Sequence, residues 1–183
     1  MKNYSFSDEI KRATSEKRLV ELQLDKWQMR VGYIIGFDSE YLMYAAVSPK
    51  VSLEEIAVIH LSSVTMIRLS GLYLDKFTKK VTSDNLFLAA KKTVLAVQKP
   101  TFDGFISAFA GKNILVEIDY GDEDKFACKI VAHDETSVMI DEYYSEQAEC
   151  YSRTIIRKDR INRVAINLDW LIIIDEFLKE SKN

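Results

Sequence analysis

Five cations crowd one short stretch of the chain: Arg153, Arg157, Lys158, Arg160 and Arg163. Guanidinium and ammonium groups at this density can hold phosphate. The same residues also suit a solvated strand end, with Asp159 as an internal partner. Lys76, Lys79, Lys80, Lys91 and Lys92 form a second basic group. Helix solubility accounts for them without any ligand. His60 and His133 are the only histidines, and neither stands at a metal-type spacing. Cys128 and Cys150 lack such a spacing too, and two buried thiols are the expectation. The chain has no Gly-x-Ser-x-Gly elbow, P-loop, dinucleotide fingerprint or Cys-x-x-Cys pair. The expectation is therefore a non-enzymatic binding protein with no cofactor and no metal.

Charge narrows the ligand. Residues 101–183 carry 10 basic and 17 acidic side chains, residues 1–70 carry 9 of each, and residues 71–100 carry 6 and 2. A second half at 10 − 17 = −7 disfavours broad nucleic-acid binding, which runs on phosphate neutralisation. Any phosphate binding is therefore expected to be weak, poorly selective and salt-dependent. No run of apolar residues reaches the roughly 18 needed to span a bilayer. The start MKNYSFSDEI has no apolar core. A cytoplasmic protein with no membrane contact is expected.

The elements that position these residues come from an internal repeat. Phe6, Ile10, Leu19, Val20, Glu21, Ile34, Asp38 and Met43 recur 96 positions later as Phe102, Ile106, Leu115, Val116, Glu117, Ile130, Asp134 and Met139. The identities fall on apolar periodic positions and one turn Asp, so both halves are expected to share a fold. Each half opens with a short helix, capped by Ser5 or Thr101, and continues as five short strands. The last two strands of each half align at an offset of 97. The boundaries are a first unit at 1–70, a helical connector at 71–100, a second unit at 101–166 and a helical tail at 167–183. Within the connector, 83–98 reads as one helix.

Alternation in the second strand of the second half puts Phe126, Cys128, Ile130 and Ala132 on the core face. The same register puts Arg30, Gly32, Ile34 and Gly36 inward in the first half. Val31, Tyr33, Ile35 and Phe37 then form an apolar outer face. A one-sided sheet is polar outside, so this patch is read as an interface covered by the connector, the other unit or another chain.

The segment Gly32-Tyr33-Ile34-Ile35-Gly36-Phe37-Asp38 resembles the first signature of the Sm-like superfamily, which comprises Sm and LSm proteins and bacterial Hfq. Ile156-Arg157-Lys158-Asp159-Arg160-Ile161 resembles the second, with Lys158 in the glycine slot. The resemblance covers about 65 residues of each half. It implies a mostly β fold with short helices: two tandem Sm-like (SH3-type) five-stranded barrels, each preceded by a helix. Other small SH3-like barrels are the rival. It also implies self-association, because such barrels pair the fourth strand of one with the fifth of the next.

The family's base-stacking and amide slots are Glu40 and Leu42 in the first half, and Thr136 and Val138 in the second. These residues supply no ring and no amide. The family's nucleotide pocket is therefore degenerate. Two functions stay open: an RNA-associated protein using the Arg157/Lys158 side, and a protein-interaction or scaffold module that kept the barrel and lost the pocket.

Overall fold

The structure, a computed structural model, describes residues 5–24, 28–50, 52–80, 101–121, 124–143 and 150–167. The helix expected at 83–98 and the tail at 167–183 lie outside them, apart from residue 167. The described residues are mostly strand. Helix α1 (Phe6–Ser15) precedes β1 (Leu19–Leu24), β2 (Gln28–Phe37), β3 (Tyr41–Val47), β4 (Leu53–His60) and β5 (Val64–Arg68). Helix α2 (Leu72–Lys80) follows. Helix α3 (Phe102–Phe109) then opens the second half, with β6 (Leu115–Tyr120), β7 (Asp124–His133), β8 (Ser137–Tyr143), β9 (Cys150–Arg157) and β10 (Ile161–Asn167). Single 3-10 turns, Leu61–Ser63 and Lys158–Arg160, join the fourth strand of each half to the fifth.

All ten strands belong to one antiparallel sheet in the order β5-β1-β2-β3-β4-β10-β6-β7-β8-β9. Two separate barrels were the expectation, and one continuous sheet counts against two independent units. The order inside the sheet nevertheless repeats. Each half runs fifth, first, second, third, fourth, and the halves meet where β10 pairs with β4.

The repeat extends to the irregularities. A bulge lies between Ile34 and Gly36 in β2 and between Ile130 and Ala132 in β7, 96 positions apart. The β3–β4 pairing slips at Ala46/Val47, and β8–β9 slips at Glu142/Tyr143. In the first–fifth pairing, Leu24 meets Val64 and Gln23 meets Met66; in the second half Tyr120 meets Ile161 and Asp119 meets Arg163. The offset changes from 96 to 97 between the third and fourth strands, where the connecting loops differ by one residue.

The bulges correct the expected faces. One extra residue reverses the alternation beyond it. Phe37, expected outside, therefore packs against the first half's own core with Ile34 and Leu42. Ala132, expected inside, is exposed for the same reason. Val31 and Tyr33 lie before the bulge and are buried with Leu19, Val47, Leu74 and Phe77. The last two belong to α2, so the start of the connector lies over this part of the sheet. Ile35 packs against the second half's core.

That second core reaches across the junction. It holds Phe105, Ile106, Ile130, Ile140 and Val164 together with Tyr41, Met43, Ile56 and Val58 from β3 and β4. The first half's core, built on Ile10, Leu22, Ile34 and Tyr44, has Ala165 as its one fully buried contributor from the other half. Size is traded between the cores at one matched pair. Gly32 leaves room for the fully buried Tyr44: a Cβ at 32 would collide with the Ala45 carbonyl oxygen and sit 2.8 Å from Tyr44 Cζ. The matching positions are Cys128 and Ile140, both fully buried. Tyr44 Oη donates to the Arg30 carbonyl at 2.9 Å, which satisfies the one polar atom its bulk brings inside.

Candidate functional site

A cleft of about 1240 Å³ lies where the halves meet. One wall is the β2–β3 turn (Asp38, Ser39, Glu40) with Tyr41 and His60. The other is the N-terminal turn of α3 with Glu135, Thr136 and the Arg157–Asp159 segment. The turns are set by local chemistry. Asp38 Oδ1 accepts from the Glu40 and Tyr41 amides at 2.9 and 2.7 Å, and Asp134 Oδ1 accepts from the Thr136 and Ser137 amides, both at 2.7 Å. Thr101 Oγ1 accepts from the Gly104 amide and caps α3, whereas the Ser5 side chain makes no cap bond to α1.

Tyr41 and Phe102 stack across the junction, ring centroids 4.5 Å apart, and His60 meets Tyr41 edge to face. Burial, with the Glu40 and Asp38 charges next, pushes the Tyr41 phenol up to about 12, so it stays protonated at neutral pH. His60 Nδ1 lies 2.6 Å from Ser62 Oγ and accepts from the Ser62 amide. His133 Nε2 lies 3.0 Å from Ser107 Oγ on the exposed surface. The two histidines sit in different places with different neighbours. Among the described residues, no group of three or more His, Cys, Asp and Glu is arranged to hold a metal ion.

The five cations do not share a surface. Arg153 is bidentate to Asp141 at 2.6 and 2.9 Å. Arg157 is bidentate to Asp159 at 3.1 and 2.5 Å. Lys158 is buried; its Nζ donates to Asp103 Oδ1 at 2.6 Å and to the Asp134 carbonyl. It ties the 3-10 turn to α3 and to the β7–β8 turn. Arg163 is buried at the β10–β4 junction. It holds Glu55 at 2.5 and 3.2 Å, Glu117 at 2.5 Å and Asp119 at 3.0 Å. Arg160 is exposed and, among the described residues, has no carboxylate partner. Lys158 and Arg163 thus act as internal ties, each buried and paired with a carboxylate.

The Arg163 network is strained electrostatically. Burial disfavours the charged form of Glu117, but the Arg163 charge and hydrogen bond outweigh it and hold the carboxyl low. At Asp119 burial wins over the same guanidinium, and the carboxyl is raised. Three carboxylates share one cation here, with Lys125 3.7 Å from Asp119 on the outside.

Leu42 and Val138 are fully buried in the two cores, while Glu40 and Thr136 line the cleft. Of the cysteines, Cys128 is buried and its thiol is pushed up by burial, then by Glu142. Cys150 is exposed on β9, against the expectation of two buried thiols. No helix among the described residues is long and apolar enough to cross a membrane. No family model, no curated protein and no solved structure matches the chain.

Sequence reasoning missed the Tyr41–Phe102 stack and the Glu55–Arg163 pair. A signal for the second was present. Arg163 occupies the repeat position of Met66, and a charge at an apolar strand position calls for a buried partner.

Proposed function

We propose that this chain is a non-enzymatic protein-interaction scaffold of two Sm-like halves, each curling toward a small barrel, fused edge to edge. The repeated strand order and the matched bulges support the Sm-like reading of each half, since bulges bend strands and drive closure. One observation carries the choice of scaffold over RNA binder: four of the five clustered cations are already in carboxylate pairs. Phosphate would have to displace those carboxylates, and two of the cations would also have to leave the interior. The cleft adds Glu40, Glu135 and Asp38 to the side a nucleotide would approach.

Weak RNA binding is the second reading. It is favoured by one feature, the exposure of Arg157 and Arg160 on the same turn. An electrophoretic shift on short RNAs across a range of salt decides between them. The scaffold reading expects no shift at physiological ionic strength. A shift that is lost in Arg157→Glu/Arg160→Glu, and that weakens steeply with salt, overturns it in favour of RNA.

A further inference from the structure

Helix α2 covers one sheet face of the first half. The second half has the equivalent face with no such helix among the described residues. Leu74 and Phe77 of α2 are buried on Leu19, Val31, Tyr33 and Val47. The repeat carries those four sheet positions to Leu115, Ala127, Lys129 and Tyr143. Val31, Tyr33 and Val47 are buried, whereas Ala127, Lys129 and Tyr143 are half-buried. Lys129 Nζ lies 4.5 Å from the centre of the Tyr143 ring. Lys125, which alternation places on the same face of β7, is exposed.

The chain itself supplies an occupant for this face. Residues 168–183 follow β10 and lie outside the described residues. Ile174-Asp175-Glu176-Phe177-Leu178-Lys179 matches Leu74-Asp75-Lys76-Phe77-Thr78-Lys79 at an offset of 100, with the Asp, Phe and Lys identical. The offset in the preceding strand is 97. β10 runs two residues past the equivalent of the β5 end, which takes up two of the three extra positions. β10 lies beside β6 as β5 lies beside β1, so the chain leaves both strands at the same corner of each half.

Charge and size change together on the two sides. Lys76 and Lys80 have Glu176 and Glu180 as equivalents, while Met29 and Tyr33 on the sheet have Lys125 and Lys129. An acidic segment thus has a basic face to meet, where the first half has a basic helix. Ala127 is smaller than Val31, and Leu178 is larger than Thr78.

We propose that residues 172–180 dock on the β6–β7–β8 face of the second half. Ile174 and Phe177 lie over Ala127 and Tyr143, and Glu176 and Glu180 lie next to Lys125 and Lys129. The contact gives the second half the cover that α2 gives the first. It goes beyond the choice between scaffold and RNA binder and does not depend on it. It also takes Lys125 and Lys129 out of reach of an anionic partner.

Zero-length crosslinking of the full chain tests this. A carbodiimide joins a lysine amine to a carboxylate where the two are in contact, and peptide mass spectrometry locates the amide formed. Lys125 or Lys129 is expected joined to Asp175, Glu176 or Glu180. In an equal mixture of isotope-labelled and unlabelled protein, those links are expected within single chains. This readout needs no variant. Phe177→Asp should lose these links and keep the Lys158–Asp103 link, which reports that the second half is folded. Tail carboxylates joined only to other lysines, or to none, overturn the proposal. Links found only between labelled and unlabelled chains also overturn it, and assign the face to a second copy's tail. So does a Phe177→Asp chain that keeps the Lys158–Asp103 link and the tail links together.

Discussion

Among the described residues, the β4–β10 junction and the two sheet edges are equivalent positions of the repeat, one closed and two open. At the junction Val58, Tyr41 and Phe102 are buried, Tyr41 stacks on Phe102, and a guanidinium is sealed among three carboxylates. At the edges the equivalents of these three are Ile155, Ser137 and Phe6; Phe6 is 46% exposed and no ring faces it from position 137. Arg163 and Glu55 have Met66 and Ser152 as equivalents. The difference lies in how each half completes its core. Among the described residues, the second half completes its core with side chains from the first, while the first half's core takes only Ala165 from the second.

The same substitution at matched positions breaks the comparison most sharply. Val58→Asp puts an unpaired carboxylate into the shared core. It should destabilise the chain by more than about 4 kcal/mol, since a buried charge without a partner is among the costliest changes. Ile155→Asp, at the equivalent exposed site, should change the stability of the isolated chain by less than about 0.5 kcal/mol. Chemical denaturation of both variants, at a concentration where each is a single chain, measures the difference. Similar losses would mean that β9 is covered much as β4 is.

The junction's ion cluster comes next. Arg163→Met installs the residue found at the equivalent open position and leaves Glu55 buried without a cation. The expected loss is about 3–5 kcal/mol. The double variant Arg163→Met/Glu55→Leu removes both charges and should recover most of that loss, because an apolar pair of similar volume replaces a desolvated ion pair at little cost. A double variant no better than the single would show that Arg163 holds the junction through Glu117 and Asp119 instead.

Much of this arrangement was legible in the sequence, for physical reasons that also explain the failures. Helix and strand periodicity placed all ten strands, and the ungapped offset tied the halves together. Alternation broke down at Gly36 and Ala132, where a bulge inserts one residue and inverts every face beyond it. No single-strand pattern carries that information, so Phe37 was placed outside. The basic cluster was read from density along the chain. Density says nothing of partners such as Asp141 and Glu55, which sit 12 and 108 positions away and arrive by strand pairing. Helix α2 lies in the part of the connector before the one helix expected there, at 83–98, and its Leu74 and Phe77 were assigned no face.

The smallest expected effect contrasts the two Asp turns. Asp38 sits at the closed junction and accepts two amides. Asp134 sits in the half that carries the open β9 edge and accepts four bonds, from the amides and hydroxyls of both Thr136 and Ser137. Hydrogen bonds to the charged form favour it, led by the Thr136 amide, and hold the Asp134 carboxyl at about 2. In an unfolded chain it would titrate near about 3.9. A lowered folded-state value stabilises the fold at every pH above the unfolded value, and this stabilisation is lost as pH falls toward about 2. Asp134 is fully exposed, so solvent limits the size of the effect. Asp134→Asn should therefore lower stability slightly at every pH above the unfolded value, flatten the acid limb between those two values, and leave stability at the most acidic end almost unchanged. Carboxyl NMR titration of the wild type measures the midpoint directly. A midpoint near the unfolded value would mean that the four-bond turn opens in solution and that the β7–β8 hairpin is held by its strands alone.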